Sequence, residues 1–444
     1  MLKNKPVSAV SKFVVPLILG SILQSMYSMA DTAIVGKFIG DDALAAVGAT
    51  GLTFTVIVSV VQAFMTGFAV TAGQKVGAND YDGLKRIYVN GFMLSVCASV
   101  IAAVLGIVFN NQLMSLLNTP VELREQGGAY IRVIYMGLPT TMLYNFFGEM
   151  LRATGNSKKP FMYLVIASAI NIILDLFFIC VLKTGVWGAG LATVISQAVS
   201  AILCYINLTR SSMYFRFNKK DIYFEKDVIS AVAKVGLPAS FLNIVILSGV
   251  FVLQRFTNGF GTELIAANSA AARVVGIFVI PIYSYGSGIS VFVAQNFGAG
   301  QYDRIKQGVR SILGLLWVYS VLILIISQII TPFIIKYIIS DTPVVVEWGN
   351  KVVTSNIMGY FGLSYLIVTK STLNALSRPF MGTIQGVADV LIRISVVIIG
   401  TKYFGFWGIA FGDSATWMIG AVIFIFMLMI ENRKINKKYG FKII

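Results

Sequence analysis

The stretch Gln74-Lys75-Val76-Gly77-Ala78-Asn79-Asp80-Tyr81-Asp82 returns later in the chain as Gln295-Asn296-Phe297-Gly298-Ala299-Gly300-Gln301-Tyr302-Asp303. Working outward from this pair, Pro16 matches Pro238 and Ala45-Ala46 matches Ala266-Ala267. Further on, Pro160-Phe161-Met162 matches Pro379-Phe380-Met381, and Gly185-x-Trp187-Gly188 matches Gly405-x-Trp407-Gly408. Chance supplies one such match, but not the whole set in register. A repeat of about half the 444 residues means that the chain is two copies of one unit.

The composition says what each copy is. Apolar residues make up 57% and charged residues 12%, with a mean hydropathy of +0.81. So few charges cannot cover the water-facing surface of a soluble protein, which carries about 25%. Residues 101–109 and 321–330 are nearly pure hydrocarbon inside longer uncharged stretches. About 20 such residues cross a bilayer as a helix. The stretches do not alternate polar with apolar, which excludes a barrel. The expected fold is an all-α membrane protein with twelve transmembrane helices in two pseudo-symmetric six-helix bundles. Spans are expected at about 11–36, 44–74, 87–110, 128–152, 161–182 and 187–208, and at about 229–256, 264–295, 309–338, 346–376, 380–401 and 405–430. The expected divisions are an N-terminal lobe 1–208, a cytoplasmic linker 209–228, a C-terminal lobe 229–430 and a basic cytoplasmic tail 431–444. Six spans per copy insert both copies in the same direction, so an axis along the membrane normal relates them, with a cleft between the bundles.

The net charge of +16 does not indicate nucleic acid, because the basic residues sit in short loops. Lys85, Arg86, Lys158, Lys159, Arg304, Lys306, Lys434 and Lys437 gather on the side of both termini. The other side carries Lys37, Arg124, Lys183, Lys336, Lys351 and Lys402. This asymmetry places both termini in the cytoplasm of a multi-pass cell-membrane protein. Residues 1–30 mimic a signal peptide, with Lys3, Lys5 and a Ser28-Met29-Ala30 cleavage pattern. The apolar run continues past Asp31, however, and the segment has a counterpart near Pro238. Cys97, Cys180 and Cys204 lie in apolar stretches and read as small hydrophobes rather than disulfide partners. The chain has no histidine and no phosphate loop of the GxxxxGK[ST] type. Enzyme chemistry and ATP-driven pumping are therefore unsupported, and no cofactor is expected.

Ionisable residues inside spans cost at least ~2.5–3.5 kcal/mol each on insertion scales, so each is a candidate for function. The first copy offers Asp31, Glu149 and Asp175, with Asn145, Asn171 and Thr193 in neighbouring spans. Asn171 and Asp175 lie four residues apart and share a helical face. Carboxylates, amide oxygens and a hydroxyl are ligands for a hard cation such as Na⁺. Two carboxylates brought together also favour holding a proton. The same residues could instead form an interhelical hydrogen-bond cluster.

Pro16 followed by Asp31, the Gln74…Gly77-Ala78 loop, Arg152…Gly155-x-x-Lys158-x-Pro160 and Asn171-x-x-x-Asp175 resemble the multidrug and toxic compound extrusion (MATE) family, and its DinF-like branch most closely. The resemblance implies a monomeric antiporter in the lipid bilayer that exports small amphipathic organic compounds by alternating access, in exchange for Na⁺ or H⁺. It also implies a cation site at Asp31, Asn145, Asn171, Asp175 and Thr193. The NorM-like branch carries an acidic residue in span 7; here 229–256 has none after Asp227, which speaks against a second cation site of that type.

In the second copy Asn171, Asp175 and Thr193 correspond to about Asp389, Arg393 and Asp413. These read as an ion-pair network that either locks the C-terminal lobe or merely neutralises its charges. Gln24, Met26, Tyr27 and Met29 near Asp31, with Arg255 and Lys370, are expected to line the substrate cleft. Arg255, Arg273 and Lys370 leave substrate charge open and keep a rival alive, a flippase for lipid-linked precursors with related two-lobe architecture.

Overall fold

The structure, a computed structural model, describes residues 1–116, 121–211, 213–216 and 221–443. Lys219 and Lys220 of the expected linker and Ile444 of the tail lie outside them. The described residues are helical apart from short connections, with no strand among them. By packing, the chain divides into one compact unit of Val15–Ser240 and another of Met1–Val14 with Phe241–Ile444. These are called the N-unit and the C-unit.

The N-unit holds most of α1 (Pro6–Phe38), then α2 (Asp41–Gly77), α3 (Tyr81–Val108), the short α4 (Asn110–Leu116), α5 (Val121–Met136), α6 (Leu138–Ala153), α7 (Lys158–Leu176) and α8 (Val186–Ser211). It also takes the start of α9 (Lys226–Thr257). The C-unit continues α9 and adds α10 (Thr262–Phe278), α11 (Ile280–Gly298), α12 (Tyr302–Ile334), α13 (Pro343–Met358), α14 (Tyr360–Ala375), α15 (Phe380–Phe404), the single turn α16 (Trp407–Ala410) and α17 (Gly412–Tyr439). Among the described residues nine helical stretches are long and apolar enough to cross a membrane, and ten if α13 and α14, bent by 45°, form one span. The two remaining expected spans fall on α2 and on the α5–α6 pair. Arg124, Glu125, Arg132, Glu149 and Arg152 dilute the apolar character of α5 and α6. Outward-facing side chains are as apolar as the core: Ile329 is 77% exposed and Phe404 70%. That surface suits lipid and not water.

The repeat governs the turns as well as the helices. Left-handed backbone recurs at Gly40 and Gly261, Asn79 and Gly300, Gly155 and Ser377, and Gly185 and Gly405. Each pair closes equivalent helix ends, with asparagine, which tolerates this conformation, at Asn79, and with Ser377 as the residue whose identity disfavours it. Asp80 caps α3 by accepting from the Gly83 amide at 2.8 Å, and Lys75 donates to it at 2.6 Å. The Lys75 bond, then the Gly83 amide, hold its carboxyl below the usual aspartate range.

Two helices are divided between the units, and each division falls beside a repeat-matched proline: Val14/Val15 next to Pro16, and Ser240/Phe241 next to Pro238. Both helices run unbroken through their prolines, but each proline removes one backbone bond and crowds the preceding turn, so the helix yields most easily there. Within the N-unit, the start of α9 packs so closely on α2 that a Cβ on Gly67 would lie 2.5 Å from the Val232 carbonyl oxygen, and one on Gly236 would lie 2.7 Å from that of Phe64. Within the C-unit, the start of α1 packs on α11: Gly288 faces Val10, Phe13 and Val14, and Ser11 and Tyr285 share a hydrogen bond of 2.9 Å. Glycine at such contacts lets helices approach without a hydrophobic driving force, as packing in lipid requires. The expected lobe boundaries at 208 and 229 therefore differ from the packing divisions inside α1 and α9.

The described residues of the connection after α8 are held to the N-unit. Lys85 pairs with Asp221 at 2.6 Å, Arg86 with Glu225, and the Glu225 amide donates to Asn90 Oδ1 at 2.8 Å. Tyr214 stacks on Tyr81 at 4.6 Å. The C-terminal tail repeats the device in the C-unit: Phe441 stacks on Tyr302 at 4.8 Å, and Ile435 and Ile443 are fully buried.

Candidate cation site

In the N-unit, α6 and α7 both pack on α8. Asn171 and Asp175 lie on the face of α7 turned inward, 1% and 0% exposed. Ser168 is on the same face one turn earlier and is also buried. From α8, Thr193 Oγ1 accepts from Asn171 Nδ2 at 3.4 Å, tying the two helices together. From α1, Asp31 comes within hydrogen-bonding reach of Asp175. Tyr27, one turn before Asp31, and Tyr130 of α5 lie within electrostatic range of both carboxylates.

The unsatisfied atoms define the chemistry. Asp31 Oδ1, Asn171 Oδ1, both oxygens of Asp175 and Ser168 Oγ are buried with no hydrogen-bond partner. Gln197 Oε1, on α8 beyond Thr193, is in the same condition. Buried polar atoms are nearly always paired, so this concentration on adjoining helices needs an explanation. All except the Ser168 hydroxyl are acceptors only, and a set of acceptors is satisfied by a cation or by protons. Neither Asp31 nor Asp175 enters an ion pair among the described residues. The only ion pair nearby on α6, Glu149 with Arg152 at 2.8 Å, is self-contained. Glu149 is thereby neutralised and stands apart from the acceptor set. Asn145 sends its amide to its own helix, onto the Thr141 carbonyl at 2.9 Å, leaving only its carbonyl oxygen to offer.

Two carboxylates about 4 Å apart repel by about 4 kcal/mol at an effective dielectric constant of ~20. A monovalent cation or a proton placed between them turns that repulsion into attraction. Asp31, Asn171, Asp175 and Thr193 are thus gathered at one place, with Asn145 on a helix beside it. Tyr27, expected to touch substrate, sits with the carboxylates instead of with Met26 and Met29, which are 62% and 72% exposed. Gln24 is exposed with them. Tyr130, Ser168 and Gln197 were not foreseen. Ser168, one turn before Asn171, and Gln197, one turn after Thr193, are accessible from sequence by helical spacing, whereas Tyr130 comes from a span whose rotation the sequence does not specify.

The equivalent place in the C-unit is built differently. Arg393 Nη2 donates to Asp389 Oδ2 at 3.2 Å, and its Nη1 donates to Asp413 of α17. Lys370 of α14 lies within electrostatic range of Asp389, and its stem packs against Gly382. Arg255, in the last turn of α9, and Arg273 of α10 are exposed.

Comparison with known proteins accounts for the repeat and the fold. The MatE family pattern matches twice, over residues 16–177 and 238–399, once in each copy. The probable multidrug resistance protein YoeA of Bacillus subtilis (strain 168) is 28% identical over 348 residues, 76% of this chain and 75% of its own length. The multidrug export protein MepA of Staphylococcus haemolyticus (strain JCSC1435) is 25% identical over 90% of this chain and 88% of its own. A crystal structure of MATE in the bent conformation superposes with a TM-score of 0.91 at 19% identity, covering 98% of both chains. The chain belongs to the MatE family of membrane transporters, a family of multidrug exporters and not of enzymes.

Proposed function

We propose that this chain exports small amphipathic organic compounds by alternating access, in exchange for Na⁺ or H⁺ held by Asp31 and Asp175. One observation carries the reading: two carboxylates face each other inside the N-unit with buried oxygens that no donor reaches. Asn171 and Thr193 complete the acceptor set, and Asn145 can add its carbonyl oxygen. When the cation leaves, the restored repulsion pushes α1 away from α7, and Pro16, where one backbone hydrogen bond is missing, gives α1 a place to yield. Ion occupancy is thereby coupled to the position of α1. The multidrug names of the relatives support organic substrates for this chain too. Charge asymmetry in the loops supports cytoplasmic termini in the cell membrane, and a monomer suffices because each unit has its own core.

A flippase for lipid-linked precursors is the weaker reading. Its basis is Arg255, Arg273 and Lys370, of which Lys370 lies within electrostatic range of Asp389 in its own unit while Arg255 and Arg273 are exposed.

The test is efflux of a fluorescent organic cation from proteoliposomes, with Na⁺ and H⁺ gradients imposed separately. One of the two gradients drives efflux by the wild type. Asp31→Asn and Asp175→Asn each insert normally and abolish gradient-driven efflux. Full activity in either variant would refute the assigned role.

A further inference from the structure

We propose that the C-unit carries its own cations where the N-unit takes one from solution, so that Arg393 and Lys370 occupy the role of a coupling ion permanently. This rests on the cation-site reading of Asp31 and Asp175.

The repeat supplies the comparison position by position. In the register set by Pro16 and Pro238, Asp31 falls on Leu253. Leu253 is apolar and packs toward Gly412, where a built Cβ would lie 3.6 Å from its side chain. To within a residue, Asp175 falls on Arg393, Asn171 on Asp389 and Thr193 on Asp413. Both carboxylates of the N-unit site have thus been lost from their positions in the C-unit. One is replaced by a hydrocarbon and the other by a guanidinium. Two new carboxylates stand where the N-unit has an amide and a hydroxyl. The same pair of helices is bridged in each copy: α7 to α8 from Asn171 to Thr193, and α15 to α17 from Arg393, one turn further along its helix, to Asp413.

Charge balance separates the two sites. The N-unit site has two carboxylates and, among the described residues, no cationic side chain paired with them. The C-unit site has two carboxylates and two cations, Arg393 bonded to both and Lys370, its stem packed on Gly382, within electrostatic range of Asp389. None of the Asp389 or Asp413 oxygens is among the buried atoms lacking a partner, whereas four acceptor oxygens of Asp31, Asn171 and Asp175 are. Arginine suits this place because its planar fork reaches two carboxylates at once and cannot be deprotonated. A pair that served only to cancel one awkward charge would need one carboxylate and one cation. Here the site is assembled around Arg393 as a ligand shell is assembled around an ion.

The consequence is a coupling stoichiometry set by the N-unit alone, and a latent second site uncovered when one built-in cation is removed. The experiment counts saturable cations bound per purified protein, using radioactive Na⁺ and proton uptake measured with a pH indicator. The background is Asp31→Asn/Asp175→Asn, which silences the N-unit. In that background Arg393→Met gains one bound cation, Na⁺ or H⁺, and adding Asp389→Asn abolishes the gain. Arg393→Lys, which keeps a tethered charge, gains none. Lys370→Met removes the other built-in charge and also gains one cation, which keeps the test decisive should Arg393→Met fail to fold. Equal counts for Arg393→Met and Asp389→Asn/Arg393→Met in monodisperse protein, or no gain in Lys370→Met, would overturn the proposal. Equal counts for wild type and Asp31→Asn/Asp175→Asn would instead overturn the N-unit reading. The comparison among the C-unit variants would still decide the present one.

Discussion

Asp175→Asn should stabilise the cation-free protein while disabling it. Asp175 is fully buried, faces Asp31 and has no donor on either oxygen. With both carboxylates charged and no cation between them, the repulsion is on the order of 4 kcal/mol. An amide removes it and retains the shape. Unfolding entropy of about 2.1 cal/mol/K per residue over 444 residues gives roughly 1 °C per kcal/mol, so the melting temperature without coupling ion should rise by about 4 °C. Because the repulsion belongs to the pair, Asp31→Asn should give a similar rise and the double variant little more, a non-additivity expected only for interacting groups. Cation affinity should fall about a thousandfold, since 4 kcal/mol is nearly three factors of ten. The assay is thermal unfolding of detergent-purified protein, by intrinsic fluorescence, across a titration of Na⁺ and of pH. Wild type should gain stability as the coupling cation is added, and Asp175→Asn should not. A destabilised Asp175→Asn variant, or one that keeps the wild-type response to the cation, would refute the electrostatic basis.

Two other substitutions test the frame around the site. Gly236→Ala should destabilise by about 1–3 kcal/mol, because its methyl meets the Phe64 carbonyl and backbone must move, whereas Gly314→Ala, which meets nothing within 4 Å, should be neutral or slightly stabilising; thermal unfolding separates them. Asp80→Ala should cost about 1 kcal/mol at neutral pH through loss of the α3 cap. Since Lys75 and the Gly83 amide hold the Asp80 carboxyl below its usual 3.8, its contribution is complete above that value and fades as pH falls through the lowered one. The gap between variant and wild type should therefore close in acid.

Much of the architecture was legible because lipid leaves the chain so few options. Uncharged runs of span length and the paired Gln74 and Gln295 motifs establish helical spans and duplication without coordinates. The Asn171-x-x-x-Asp175 spacing correctly placed two acceptors on one face of α7, and the i,i+4 spacing of Asp389 and Arg393 anticipated their pair. Three features were hidden for physical reasons. Gly67, Gly236 and Gly288 look like ordinary small residues, so the division of α1 and α9 between units could not be read from hydropathy. The rotation of α5 is set by packing, so the approach of Tyr130 to the carboxylates left no sequence signal. Glu149 looked like a site residue because its partner Arg152 lies one turn away on the same helix, and spacing alone does not say whether such a pair closes.

The most direct measurement is displacement. Purified protein is loaded with its coupling cation, ethidium is added as an amphipathic organic cation, and release of Na⁺ or H⁺ is followed alongside dye binding. The wild type should release cation as dye binds, in saturable proportion, and Asp31→Asn/Asp175→Asn should release none. Equal release from that double variant, or dye binding with the cation retained in the wild type, would contradict exchange at Asp31 and Asp175.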